Sequence, residues 1–153
     1  MKHAFAIGTL LILMSTVVLG HLSRRVKAVP IQPFDAWENI CWGNEKGRLD
    51  NFAIQLQRET EWLGYVVVYA GRESCADEAV TRAVRAKKWL ERRGVPSNRI
   101  LWRNGGFREH TETQLWIWPI GEGVFPVDPK LDRSEVKVVR SCRGRILNPV
   151  QCK

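Results

Sequence analysis

The chain has 153 residues and a formal net charge of +8, with 24 basic side chains against 16 acidic ones. This length fits one domain with appendages. The sequence contains no Gly-x-Ser-x-Gly motif, Walker loop or Cys-x-x-Cys pair, so it lacks the usual signatures of a serine hydrolase, a P-loop enzyme or a thiolate metal site.

Residues 1–20 have the pattern of a secretory signal peptide. A short positive start precedes an apolar run from Ala4 to Leu19, and small residues around Gly20 offer a cleavage point. We therefore expect export with cleavage after Gly20. The alternative is an uncleaved inner-membrane anchor through residues 4–20, because the run is close to the lower length limit of a spanning helix. Either outcome implies an extracytoplasmic protein, periplasmic or secreted.

The excess of basic residues indicates the kind of partner. In a cytoplasmic protein it would suggest a nucleic acid, but an exported chain meets anionic lipid headgroups and acidic wall polymers instead. We therefore expect no nucleic-acid partner and consider peptidoglycan, another anionic envelope polymer or an envelope protein. Because the basic residues do not form one long run, a merely solvated basic surface is the alternative.

Four cysteines follow the apolar run: Cys41, Cys75, Cys142 and Cys152. An even count in an oxidising compartment predicts two disulfides, for which three connectivities are possible. Since Cys142 and Cys152 are close in sequence and can close a small loop, we favour that pair and, by exclusion, a Cys41–Cys75 pair. Neither a metal nor another cofactor is expected, because His110 is the only histidine well inside the exported part.

Residues 21–33 are polar, basic and contain two prolines, which predicts a linker. A short first strand is predicted around residues 31–35. A helix follows, because apolar residues recur at the spacing of one helical face: Leu49, Phe52, Ala53 and Leu56. We expect Asn44 to cap this helix and residues 59–62 to end it.

The next stretch of chain is predicted to be a βαβ unit. Residues 65–70 form an apolar run rich in β-branched and aromatic side chains, typical of a strand buried on both faces. A helix is predicted from Asp77 to Arg93, with Gly94 in the left-handed position after it. A second strand begins at Ile100.

The Gly105-Gly106 pair is predicted to break this second strand. Residues 114–118 then alternate, which predicts another strand with a different pair of residues on each face: Leu115 and Ile117 on one, Trp116 and Trp118 on the other. Stacking of these tryptophans on sugar rings is one interpretation, and covering a core or an edge is the other.

The remaining residues, 120–153, are predicted to be a loop-rich tail with a disulfide, outside a domain that spans residues 34–119. Four glycines and prolines after Pro119 indicate a loop rather than a packed element. A late strand is predicted at residues 136–139.

Together these elements predict an α/β (α+β) two-layer sandwich with the order β-α-β-α-β-β, in which two helices lie on one face of three or four strands. If right-handed crossovers make the first two strands parallel, Cys41 and Cys75 both lie beyond the same edge of the sheet. That location independently favours their pairing.

Several segments resemble an OmpA-like domain, the C-terminal type of outer-membrane protein A: Thr81-Arg82-Ala83, Trp89-Leu90, Gly94-Val95, Arg99-Ile100, Gly105-Gly106, Leu49–Gln57 and Tyr65–Gly71. The combination also resembles a group of exported bacterial proteins with a reduced core of this type. The resemblance covers roughly residues 34–119 and implies a periplasmic domain that binds peptidoglycan.

The resemblance also implies a ligand site. In the family, an aspartate after the central strand and an arginine of the second helix grip the amine and carboxylate of diaminopimelate. The arginine corresponds to Arg82, whereas Arg72 occurs near the place of the aspartate. Asp77 or Glu78 is a candidate replacement for that acid, and Arg103 and Arg108 are candidates to extend a basic pocket.

We therefore expect an exported, non-catalytic cell-envelope module with a basic ligand site that contains Arg82, Arg72, Asp77 and Arg103. The main alternative is a structural or protein-interaction module that has lost the site, and a periplasmic hydrolase is a third, less favoured class. The Glu109-His110-x-Glu112 segment is a weak metal or acid–base pattern, and we expect it to be an exposed loop.

Overall fold

The computed structural model describes residues 32–123 and 125–139. The predicted signal peptide, most of the linker and the Cys142–Cys152 loop lie outside the described residues. The elements in chain order are β1 (Asp35–Trp37), α1 (Trp42–Arg58), β2 (Trp62–Ala70), β3 (Glu73–Cys75), α2 (Glu78–Arg92), β4 (Ile100–Phe107), β5 (Glu112–Pro119) and β6 (Lys137–Val139). Within these residues, no helix has the length and apolarity needed to span a membrane.

Four strands form the main sheet in the order β1-β5-β2-β4. Strands β2 and β4 are parallel and joined by α2, which confirms the predicted βαβ unit. Strand β5 is antiparallel to both β1 and β2, so β1 and β2 run in the same direction, as expected, but with β5 between them. Strands β3 and β6 form a second, two-stranded parallel sheet. The fold is mixed α/β, and the late strand is confirmed as β6.

One face of the main sheet packs against both helices. Leu49, Phe52 and Leu56 of α1 and Leu90 of α2 are fully buried there against the alternate residues of the strands. Small side chains at Ala79, Ala83 and Ala86 let α2 lie close to the sheet. The helical periodicity in the sequence therefore identified this core correctly.

The opposite face of the sheet carries a second core, built from Tyr65, Val67, Tyr69, Trp118 and Phe125. Trp116 packs at its margin while Leu115 and Ile117 face the helices, so the predicted alternation of β5 is confirmed. The residues after Pro119 form the predicted loop, but the prediction that this loop does not pack against the domain is wrong. Their backbone is irregular, but Phe125 is 2% exposed and stacks on Tyr65 with ring centroids 5.1 Å apart.

Two predicted boundaries in the first half are wrong. Strand β1 comprises Asp35–Trp37 rather than residues 31–35. Helix α1 begins at Trp42 with Cys41, not Asn44, at its N-cap. Its first turn forms earlier than expected because the buried Cys41 carbonyl already accepts the Glu45 N–H at 3.0 Å.

The Gly105-Gly106 pair does not end β4, which continues to Phe107. Instead the pairing with β2 shifts by one residue, since Val68 lies opposite Asn104 and Tyr69 opposite Gly106. A Cβ at Gly105 would lie 2.5 Å from the Tyr69 ring, so the missing side chain lets that ring pack against the backbone. Gly106 has φ +88, a conformation that favours glycine. The pair marks a β-bulge.

Candidate functional site

The carboxyl ends of the parallel strands β2 and β4 meet the start of α2 at one edge of the sheet. In open α/β sheets such an edge is the usual location for ligands. Gly71 and Arg72 follow β2, Arg108 follows β4, and Asp77 precedes α2. Most of the residues singled out in the sequence thus converge on one region.

Arg82, the residue singled out by the family resemblance, is buried rather than exposed. It is 4% exposed; its Nε donates to Glu78 Oε1 at 3.0 Å and its Nη2 donates to Asn39 Oδ1 at 3.0 Å. Glu78 is 8% exposed, and its second oxygen accepts the Cys75 N–H at 3.1 Å. In this state the guanidinium is engaged by protein groups, and its direct contact with a ligand stays a prediction.

These contacts extend into a network that joins three segments of the chain. Thr111 Oγ1, on the turn between β4 and β5, lies 3.4 Å from Glu78 Oε1. Asn39 comes from the segment between β1 and α1. The Glu78–Arg82 spacing of four residues on a helix was readable in the sequence. Asn39 and Thr111 carried no such signal, because they meet α2 only through the tertiary fold.

A cleft of about 450 Å³ lies beside this network. We call it the polar cleft, and its lining residues are Glu38, Asn39, Gly71, Arg72, Glu73, Glu109, His110 and Thr111. Three carboxylates and one guanidinium line the cleft, so its net charge is negative when His110 is neutral. The cleft is therefore acidic, in contrast to the basic site expected from the sequence.

Arg72 spans the polar cleft through a bidentate ion pair. Its Nε and Nη2 donate to the Glu109 carboxylate at 2.9–3.0 Å, and its Nη1 donates to the Glu135 carbonyl oxygen at 3.2 Å. The hydrogen bonds from Arg72 lower the pKa of the Glu109 carboxyl, and they raise the pKa of the Arg72 guanidinium. Since both groups are solvent-exposed, a competing ion can reach the pair.

The two other candidate arginines, Arg103 and Arg108, do not line the polar cleft. Arg103 is opposite Val67 on β4, a position that shares the sheet face of the second core, and it lines neither cavity at this edge. Arg108 stacks over Tyr69 at 3.8 Å and donates to Glu112 at 2.7 Å. The predicted grouping of Arg103 with Arg82 and Arg72 is therefore not observed.

Asp77 lines a second, smaller cavity at the start of α2. This helix-end cavity has a volume of about 270 Å³. Its lining residues are Ala70, Ser74, Cys75, Ala76, Asp77, Glu78, Ala79, Asn104, Phe107, Arg133 and Val138. Glu78 lines this cavity and contacts Thr111 of the polar cleft, so the buried network lies between the two spaces.

The other chemical groups at this edge are structural or exposed. Cys41 and Cys75 are both buried and disulfide-bonded, as predicted, while their pairing with each other stays a prediction. His110 is exposed on a turn, as expected. Within the described part of the chain, no group of three or more His, Cys, Asp and Glu side chains could hold a metal ion.

The tryptophans of β5 have the structural role rather than the sugar-stacking one in this state. The rings of Trp116 and Trp118 lie 5.0 and 4.9 Å from that of Phe125.

Comparisons of the chain with models of protein families, with curated proteins and with solved structures find no match.

Proposed function

We propose that this protein is an exported, non-catalytic envelope-binding module, a divergent OmpA-like domain whose polar cleft binds the peptide part of peptidoglycan. The observation that carries the proposal is the polar cleft itself. It combines Arg72 with the carboxylates of Glu38, Glu73 and Glu109 at the carboxyl end of the central strand. Disulfide-bonded Cys41 and Cys75 support an oxidising, extracytoplasmic compartment.

A zwitterionic ligand suits this combination of charges. The stem peptides of peptidoglycan carry both carboxylates and an amine, and diaminopimelate carries them on one residue. The planar fork of Arg72 can exchange the Glu109 carboxylate for a ligand carboxylate with the same bidentate geometry. Glu38 and Glu73 then provide the anionic partners for the ligand ammonium that Arg72 itself cannot provide.

Arg82 acts as a positioning residue in this proposal. Through its contacts with Glu78 and Asn39 it ties the segment before α1 to the start of α2. Asn39 in turn lines the polar cleft. The buried guanidinium thus fixes one wall of the cleft, while Arg72 is the group that meets the ligand.

The electrostatics of the polar cleft favour binding over acid–base catalysis. A general acid needs a pKa near the working pH, whereas hydrogen bonding to Arg72 lowers the pKa of Glu109. The two disulfide-bonded cysteines cannot act as nucleophiles while oxidised. A hydrolase would release muropeptides from purified peptidoglycan, and we expect no release.

Co-sedimentation with purified peptidoglycan at low salt tests the site. Arg72→Gln and Glu73→Gln should each weaken retention about tenfold, as expected for the loss of one charged hydrogen bond. Arg92→Gln is the matched control, because Arg92 is exposed near the far end of α2. Retention that falls equally in Arg72→Gln and Arg92→Gln but does not fall in Glu73→Gln would indicate unspecific charge attraction and contradict the cleft, and no retention of the wild type would contradict the function.

One observation favours a second candidate, a protein-interaction module. Strand β4 is an edge of the main sheet, and Trp102 on it is 38% exposed. Exposed edges of this kind accept an additional strand from a partner. If the polar cleft rather than this edge binds peptidoglycan, Trp102→Ala should leave retention on peptidoglycan unchanged.

A further inference from the structure

We propose that the helix-end cavity is a second ligand site, separate from the polar cleft, and that it binds a small α-amino acid as its zwitterion. The helix end and Ser74 would hold the carboxylate, and Asp77 would hold the ammonium. The inference does not depend on peptidoglycan binding, because it uses other residues and another cavity.

The first support is a buried hydroxyl that lacks a partner. Ser74 is 2% exposed and lines the helix-end cavity, yet its Oγ has no hydrogen-bond partner among the described residues. A buried hydroxyl without a partner is costly for the fold. Such a group at the wall of a cavity provides a ready donor for an acceptor that enters the space.

The second support is the uncapped start of α2. No side chain caps this helix, and the first backbone bond at its start runs from the Thr81 N–H to the Asp77 carbonyl. The N–H groups of the residues just before Thr81 therefore have no intrahelical partner, and two of these residues, Glu78 and Ala79, line the cavity. An uncapped helix start of this kind attracts a carboxylate.

The charges around the cavity select a zwitterion over a simple anion. Arg133 is exposed and lines the cavity, and its Nη1 donates to the Val136 carbonyl oxygen at 3.2 Å. Its charge is not balanced by an ion pair among the described residues. Glu78 is neutralised by its ion pair with Arg82 at 3.0 Å. Asp77 is then the remaining carboxylate of the lining, which suits an ammonium group next to the bound carboxylate.

The size and the apolar part of the lining limit the ligand further. About 270 Å³ of space is bounded in part by Ala70, Ala79, Phe107 and Val138. These side chains suit a short alkyl group such as the methyl of alanine. We therefore expect glycine and alanine of either hand to bind.

Titration of the ¹⁵N-labelled full chain with alanine, acetate and methylammonium tests this inference. Alanine should shift the amide signals of residues 74–80 and leave those of the polar cleft turn, residues 109–111, in place. Acetate should shift the same signals at higher concentration. No shift with alanine up to about 50 mM, a concentration at which even a millimolar site would be filled, overturns the proposal.

Three variants identify the groups involved. Ser74→Ala should weaken alanine binding about tenfold without lowering the melting temperature, because it removes a hydroxyl that has no partner in the free protein. Asp77→Asn should weaken alanine binding but not acetate binding. Arg133→Gln should weaken both, with Arg92→Gln as the unchanged control. Alanine binding that Ser74→Ala and Asp77→Asn leave intact would contradict the assignment.

Discussion

The Arg85 Nη2 lies 2.6 Å from Glu45 Oε2 and joins the two helices through a carboxylate that is 1% exposed. The Arg85 guanidinium also stacks over the Trp42 ring at 4.1 Å. Desolvation raises the pKa of Glu45 despite the opposing effect of Arg85 and Arg82, and desolvation lowers the pKa of Arg85. Each charge therefore depends on the other to remain buried.

Replacing only one member of this pair should be costly. Arg85→Met keeps the packing on Trp42 but leaves the Glu45 carboxylate buried without its partner. We expect the free energy of unfolding to fall by about 3 kcal/mol, as measured by urea denaturation. Lys88→Met is the control, since Lys88 is exposed on the same helix and should change stability by less than about 0.5 kcal/mol. Equal effects of the two changes would contradict the role of the pair.

The raised pKa of Glu45 predicts a pH dependence. The folded chain holds this proton more tightly than the unfolded chain, whose value is near 4.5. The contribution of Glu45 to stability is therefore greatest below that value and is lost as pH rises through the raised folded pKa. Glu45→Gln removes this loss.

The measurement is the free energy of unfolding of wild type and Glu45→Gln between about pH 4 and pH 7, a range that starts near the unfolded value and extends above it. The variant should gain relative to the wild type as pH rises, on top of a constant difference caused by the uncharged partner of Arg85. A constant difference alone would show that Glu45 titrates alike in both states. Glu59→Gln, at an exposed position after α1, is the control.

The comparison of sequence and structure shows which features are local. The βαβ unit and the face of α1 were predictable, because apolar spacing and Gly94 report the conformation of the neighbouring backbone. Gly94 indeed has φ +86. The burial of Arg82 was not predictable, because its partner Asn39 approaches α2 only in the folded chain. The same holds for Thr111, which contacts Glu78.

The polar cleft and the second core were also not predictable from the sequence, because both depend on the tertiary fold. The acidic character of the cleft results from Glu38, Glu73 and Glu109, which are far apart in sequence and carry no shared motif. Phe125 lies in a segment whose glycines and prolines correctly indicated an irregular backbone. Those residues report backbone conformation and say nothing about whether a single aromatic side chain covers a sheet.

The second core predicts a large effect at Phe125. Its ring contacts those of Tyr65, Trp116 and Trp118 at centroid distances of 4.9–5.1 Å. Phe125→Ala should lower the free energy of unfolding by about 3 kcal/mol through lost burial and the cavity that remains. Ile120→Ala is the control, because Ile120 is 55% exposed. Thermal unfolding followed by tryptophan fluorescence reports the change, and similar melting temperatures for the two variants would contradict the proposed packing.

Two glycines predict effects of opposite sign for the same substitution. Gly105→Ala places a methyl group 2.5 Å from the Tyr69 ring and should destabilise the fold by about 1–3 kcal/mol. Gly47→Ala meets nothing within 4 Å inside α1 and should stabilise it by about 0.5–1 kcal/mol through helix propensity. Urea denaturation of both variants measures the difference, and a stabilising Gly105→Ala would exclude the close approach of the ring.

The buried Glu78–Arg82 pair predicts how variants of Arg82 behave. Arg82→Met leaves the Glu78 carboxylate, 8% exposed, without its guanidinium, so we expect a loss of about 3 kcal/mol in unfolding free energy. Adding Glu78→Gln should restore part of this loss, because a neutral amide is cheaper to bury than a carboxylate. A double-mutant cycle by denaturation measures the coupling.

If Arg82 is a positioning residue, the folded Arg82→Met/Glu78→Gln variant should retain part of its peptidoglycan binding, whereas Arg72→Gln should weaken binding at unchanged stability. Complete loss of binding in the folded double variant would instead indicate that Arg82 contacts the ligand.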